Sequence, residues 1–203
     1  MSFFRKRREP IARTLVEAEL HLRLHPCSCG KYDQPDASER SGVLWYDGPC
    51  PSCGKKREDP FGVPMEAPAF GTAWETFYGG PHPSMLIDAG EWLDMSRRLS
   101  NQIIPDATAQ SSAVEQYVES ITLATAQLTE VLKFIDGRGG RATPPPAAYW
   151  TAAGRAAAAR EPSGSLQRDR LKAYRYGMSE DMRTRFGGRY RGVRITGKIE
   201  RPY

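Results

Sequence analysis

The sequence predicts a mainly α fold: a helical domain built around one long helix at residues 106–136, with a small metal-bound β module near the N-terminus. Two observations carry this. Val114, Tyr117, Val118, Ile121, Ala124, Leu128, Val131, Leu132 and Ile135 keep one apolar stripe at the 3.6-residue period. All four cysteines of the 203-residue chain fall between positions 27 and 53, as Cys27-x-Cys29 and Cys50-x-x-Cys53. The expected organisation is a basic tip and first helix (1–24), the cysteine module (25–64), a helical body (65–176) and a basic tail (177–203).

Taken in order, residues 9–24 read as a helix. Pro10 suits an early helical position, Ile11, Leu15, Ala18 and Leu22 share a face, and Pro26 stops it. His25-Pro26-Cys27-Ser28-Cys29-Gly30 and Gly48-Pro49-Cys50-Pro51-Ser52-Cys53-Gly54 are two tight turns. Val43-Leu44-Trp45-Tyr46 is a short strand feeding the second. Phe70, Trp74, Phe77 and Tyr78 anchor a Pro/Gly-rich stretch on the core, and residues 79–84 form a loop. Asp88 caps a helix carrying Trp92, Leu93, Met95 and Leu99. Pro105 opens the long helix, and Gly137 with Gly139-Gly140 ends it. Further helices are expected over 147–160 and 165–176 and near 179–185. Residues 187–203 read as disordered or as a frayed strand.

The charge is uneven. Lys+Arg number 29 against 24 Asp+Glu, for a net +5. Residues 160–203 hold 12 of these cations and only 5 acids, so the remainder is slightly acidic apart from Arg5-Lys6-Arg7-Arg8 at the N-terminus. A basic end on an acidic body suits an anionic partner. The 22 Arg against 7 Lys, 22 Ala and a single Asn give a second reading. GC-rich codons of a bacterial genome raise the Arg count with no such partner. No apolar run approaches the roughly 20 residues of a membrane span. The basic N-terminus leads into no apolar segment of a secretory signal. A cytoplasmic protein with no membrane partner is the expectation.

Two close cysteine pairs separated by twenty residues suit tetrahedral zinc, each turn presenting two thiolates to one ion. Gly30 and Gly54 relieve the turns and let backbone N–H groups point at the sulfurs. Cys50-Pro51-Ser52-Cys53-Gly54-Lys55-Lys56 resembles the second knuckle of the zinc-ribbon family, in which two cysteine knuckles on β-hairpins clamp one Zn²⁺. The resemblance covers residues 25–60 only. The first knuckle departs from the family pattern, being C-x-C, which leaves open whether Cys27, His25 or His21 completes the set. Four thiolates close the shell, so the expected ion is structural: Zn²⁺ on Cys27, Cys29, Cys50 and Cys53.

Other motifs carry less. Gly192-Val193-Arg194-Ile195-Thr196-Gly197-Lys198 has P-loop spacing, but Ile199 stands where a Mg²⁺-binding hydroxyl belongs, and only five residues follow Lys198. Gly137-x-Gly139 follows a helix, so it is a helix stop. His82 lies in a Gly/Pro loop with no nucleophile at a telling spacing. Asp88, Glu91 and Asp94 are first-turn acids that complement the helix dipole. Trp92, Trp150, Tyr117 and Phe134 read as core. Arg183, Arg185, Arg189, Tyr190, Arg191 and Arg194, interleaved with Gly and Phe186, resemble RGG-type RNA-binding tails, which pair with phosphates and stack on bases.

With no catalytic constellation, the leading expectation is a non-enzymatic zinc-binding protein acting through another protein, as an adaptor, regulator or immunity-type partner. Nucleic-acid binding through the basic tail is the alternative.

Overall fold

The computed structural model describes residues 9–71, 76–102, 104–105, 111–136 and 139–190. Its described residues form five α-helices and one three-stranded antiparallel sheet, a mainly α fold. No helix among them is long and apolar enough to cross a membrane. The chain divides into two compact units. One comprises Met1–Thr72, Tyr78–Gly80 and Ser84–Ile87; the other comprises Ala73–Phe77, Pro81–Pro83 and Asp88–Tyr203.

The first unit contains α1 (Leu15–Leu24) and strands β1 (Ser38–Arg40), β2 (Val43–Tyr46) and β3 (Phe61–Pro64). The first helix begins later than its apolar stripe suggests. Thr14 is the N-cap, and its hydroxyl accepts from the Glu17 N–H at 3.2 Å. The preceding residues work as an extended edge instead. Ala12 N–H donates to Gly62 O at 2.8 Å, and Gly62 N–H donates to Pro10 O at 2.9 Å. Buried Glu17 forks onto the Arg13 guanidinium, which keeps its charge matched.

β2 spans the four residues its composition marks. It pairs with β1 through the tight Ser41-Gly42 turn, both residues at positive φ as a type I′ hairpin requires. Its other edge pairs with β3, with Trp45 opposite Gly62 and Tyr46 opposite Phe61. Trp45, Tyr46, Phe61 and Val63 are buried, and the His21 ring meets Phe61 edge-on at 5.0 Å. The helix and the sheet therefore share one small core.

The second unit is helical: α2 (Ala89–Ser100), α3 (Ser111–Lys133), α4 (Ala152–Arg160) and α5 (Arg168–Tyr190). Asp88 caps α2 in a full capping box, its carboxylate accepting from Gly90 and Glu91 N–H while Glu91 accepts from Asp88 N–H. Helix α3 is the predicted spine, about 35 Å long at 1.5 Å per residue. Val114, Val118, Ile121, Ala124, Leu128 and Val131 are buried along it. The predicted start at 106–110 lies outside the described residues, and the helix ends at Lys133, three residues earlier than expected. Thr122, Thr125 and Thr129 satisfy their hydroxyls on carbonyls four residues back.

Three expectations for this unit need correction. The helix predicted over 147–160 divides into a 3₁₀ turn at Pro146–Ala148 and α4, because Thr151 takes an extended backbone and caps α4 with its hydroxyl. Trp150, read as core, is 43 % exposed, with one face against Phe134 at 6.0 Å. The separate helices expected over 165–176 and near 179–185 are one helix, α5, kinked at Phe186 and helical in backbone to Tyr190. Gly177 does not break it, because Leu171, Met182 and Phe186 continue one buried stripe. Met182 and Phe186, with Met178, pack on Val114, Tyr117, Val118 and Ile121. Phe77 and Tyr78 are buried as expected, Phe70 is 38 % exposed, and Trp74 lies outside the described residues.

Candidate metal centre

The first knuckle follows α1 and the second joins β2 to β3. Each is a tight turn closed by its own backbone. Cys27 N–H donates to Lys31 O at 2.7 Å and Gly30 N–H to Cys27 O at 2.7 Å. The second repeats the pattern, with Cys50 N–H on Lys55 O and Gly54 N–H on Cys50 O, both at 2.8 Å, and an antiparallel bridge between Pro49 and Lys56. Gly30 and Gly54 hold φ of 80° and 73°, the left-handed turn that a side chain disfavours. The sequence expectation for both glycines is met in the backbone.

These two turns bring all four sulfurs to one place. Every Sγ lies within 4.8 Å of the others, and the group can hold a metal ion. Two contacts cross between the knuckles: Cys27 Sγ to Cys53 Sγ at 3.5 Å, and Cys29 Sγ to Cys50 Sγ at 3.9 Å. Cys27 and Cys50 are buried, while Cys29 and Cys53 are exposed. It is the Cys27 sulfur that joins the group, rather than a ring nitrogen of His25 or His21.

The thiols are electrostatically uneven. The Cys29 backbone N–H hydrogen-bonds the Cys27 sulfur and lowers its pKa to about 6, against the effect of burial. The Lys55 N–H acts the same way on Cys53. There, burial and the three neighbouring sulfurs prevail and push the thiol up to about 11. Close sulfurs cannot all ionise without a cation among them, which is the condition a thiolate metal site creates.

Sequence reasoning missed the group that ties the second knuckle to α1. Buried Arg57 donates to the His25 carbonyl and, at 2.9 Å, to Asp59 Oδ2. That carboxylate also lies 3.2 Å from His21 Nε2 on α1. The Asp59 pKa is lowered: burial alone would raise it, but hydrogen bonds from His21 and Arg57 outweigh that. No spacing rule connects residues 21, 57 and 59, so only the fold shows them together.

The other singled-out residues stand apart from the sulfurs. His82 is an exposed loop residue, and Asp88 and Glu91 belong to the α2 cap. Asp94 is shared by Arg98 and Arg160. Arg183 and Arg185 lie on α5, not on an irregular tail, and each pairs with an acid of its own helix. Arg183 reaches Glu180 at 3.0 Å and Arg185 reaches Asp181 at 2.7 Å. Arg189 and Tyr190 close the helix; Arg191, Arg194 and the P-loop-like segment lie outside the described residues.

No family model matches the chain, and neither does any curated protein or solved structure. The reading of this centre therefore rests on its own geometry.

Proposed function

We propose that this is a non-enzymatic zinc-binding protein that works by binding another protein, as an adaptor, regulator or immunity-type partner. The observation that carries the reading is the closed set of four sulfurs on two turns. Four thiolates about 2.3 Å from one zinc ion, at the corners of a tetrahedron, stand about 3.8 Å apart. The two cross-knuckle contacts of 3.5 and 3.9 Å fall on either side of that spacing. Bound there, zinc would supply fixed thiolate coordination, and a shell of four sulfurs has no open position for water or substrate. Lys31, Lys55 and Lys56 adjoin the knuckles in sequence, and their positive charge would partly offset the two negative charges that four thiolates leave around Zn²⁺.

Support for a protein partner comes from apolar side chains left outside the core. Leu15, Met65 and Phe70 are 50, 60 and 38 % exposed in the first unit. The segments of Leu15 and Phe70 run side by side, with Leu15 N–H on Pro68 O and Val16 N–H on Ala69 O, both at 3.0 Å, while Met65 N–H is on Gly42 O. Exposed apolar groups brought together in this way mark protein-interaction surfaces. A photo-crosslinking side chain at Met65 or Phe70, in the cell of origin, is expected to trap one adduct of discrete mass, with none from the exposed Glu39. Equal trapping at all three positions, or none, contradicts the reading.

A further inference from the structure

In this centre each exposed cysteine has its sulfur against that of a buried one. Cys53 is exposed and its contact, Cys27, is buried; Cys29 is exposed and its contact, Cys50, is buried. Both contacts cross from one knuckle to the other. An oxidant that reaches an exposed cysteine finds a second sulfur already beside it.

We propose that the four-cysteine group is a peroxide-sensitive modification site, in which Cys27 with Cys53 and Cys29 with Cys50 are oxidised to cross-knuckle disulfides. The chemistry is two equivalent steps at each pair. One thiolate of the pair attacks hydrogen peroxide; an S–O bond forms, the O–O bond breaks, and hydroxide leaves as that sulfur becomes a sulfenic acid. The other thiolate then attacks that sulfur; the S–S bond forms, the S–O bond breaks, and a second hydroxide leaves. Each thiolate pair gives up two electrons as its disulfide forms and reduces one peroxide, so the full conversion consumes two. Any metal that these sulfurs held would lose all four donors and would be released as the hydrated cation. Because both bonds join Cys27-x-Cys29 to Cys50-x-x-Cys53, the oxidised module stays tied across the same two turns that the metal would tie.

The release of an ion rests on the zinc reading; the pairing rests only on the sulfur geometry. The experiment separates them. The full-length reduced chain is assayed for metal and then treated with hydrogen peroxide in the presence of a chromogenic chelator. It is digested with trypsin without reduction and mapped by mass spectrometry. Cleavage leaves Cys27 and Cys29 together in residues 24–31, and Cys50 and Cys53 together in residues 41–55. The expected product is those two peptides linked twice, fragmenting as 27–53 and 29–50, with one equivalent of metal released as the thiols disappear. Unlinked peptides with internal 27–29 and 50–53 bonds, a 27–50 and 29–53 pairing, sulfinic or sulfonic acids alone, or intact thiols each overturn the proposal. A chain that carries no metal yet gives 27–53 and 29–50 supports it and contradicts the zinc reading instead.

Discussion

Asp88 and Thr151, 63 positions apart, share one buried carboxylate. Asp88 Oδ2 accepts the Thr151 backbone N–H at 2.8 Å and the Thr151 hydroxyl at 2.7 Å, while Oδ1 accepts from Gly90 and Glu91 N–H at 2.9 Å. The Thr151 hydroxyl in turn accepts from Gly154 N–H. One side chain therefore organises the starts of both α2 and α4. A single cap is worth about 1 kcal/mol, and stripping a buried group of its partner costs about 1–3 kcal/mol more. Asp88→Ala should lower stability by about 3 kcal/mol and Thr151→Ala by about 1–2 kcal/mol. Their double-mutant cycle should be clearly non-additive in urea denaturation.

The same junction has no room. A Cβ at Gly90 would fall 2.0 Å from Gly154 O, and one at Gly154 would fall 2.0 Å from Asp88 Oδ1. Gly90→Ala must separate backbone from backbone, so it should cost more than the 1–3 kcal/mol of ordinary overpacking. Alanine at Gly177, where nothing lies within 4 Å, should be neutral or stabilising by up to about 1 kcal/mol. Thermal melts of the two variants give the comparison.

Acid should weaken the second unit through Glu161. Burial would raise its pKa, but the Arg97 guanidinium, bonded at 2.9 and 2.7 Å, holds it below the usual value. Arg97 is held in turn by the Tyr174 ring at 4.3 Å. A carboxyl whose folded pKa is lowered contributes stability that is complete above its ordinary value near 4.3 and is lost as pH falls through the folded value. Chemical denaturation from pH 6 to pH 3 should show this loss, and Glu161→Gln should flatten it.

Metal removal should act on the first unit alone. The knuckle loops place only Cys27, Cys50 and Arg57 out of solvent, too little apolar surface to hold the two turns by themselves. A chelator, or Cys50→Ser, should expose amides of the two knuckles, residues 27–31 and 49–56, to hydrogen exchange, while those of α2 and α3 keep their protection.

Binding to nucleic acid should be weak and uniform in sequence. With Arg183 and Arg185 held by Glu180 and Asp181, α5 presents less free charge than its composition suggests. Titrations of DNA and RNA at about 0.15 M salt should give no affinity tighter than the nonspecific range of about 10⁻⁴–10⁻⁶ M. Submicromolar binding that weakens steeply with salt would favour the nucleic-acid reading.

Long periodic signals and local turn chemistry were legible in the sequence. The α3 stripe, the Asp88 cap, β2 and both cysteine turns follow from residues close together in the chain. Strands β1 and β3 were not. Ser38-Glu39-Arg40 is exposed throughout and has no alternation to read. Phe61-Gly62-Val63-Pro64 looks like a turn until Trp45 covers Gly62 across the sheet, where a Cβ would meet its ring at 3.1 Å. The continuity of α5 was hidden by Gly177, although Leu171, Met182 and Phe186 carried the stripe past it. The Arg57–Asp59–His21 group needed the tertiary fold, since no local rule joins its members.

The most direct test of the central claim is metal and thiol content on one sample. Freshly purified, reduced protein should contain about one equivalent of zinc by elemental analysis, and its four thiols should react only after the metal is chelated. Less than about half an equivalent of metal, with four thiols that react at once, would contradict a four-thiolate zinc centre.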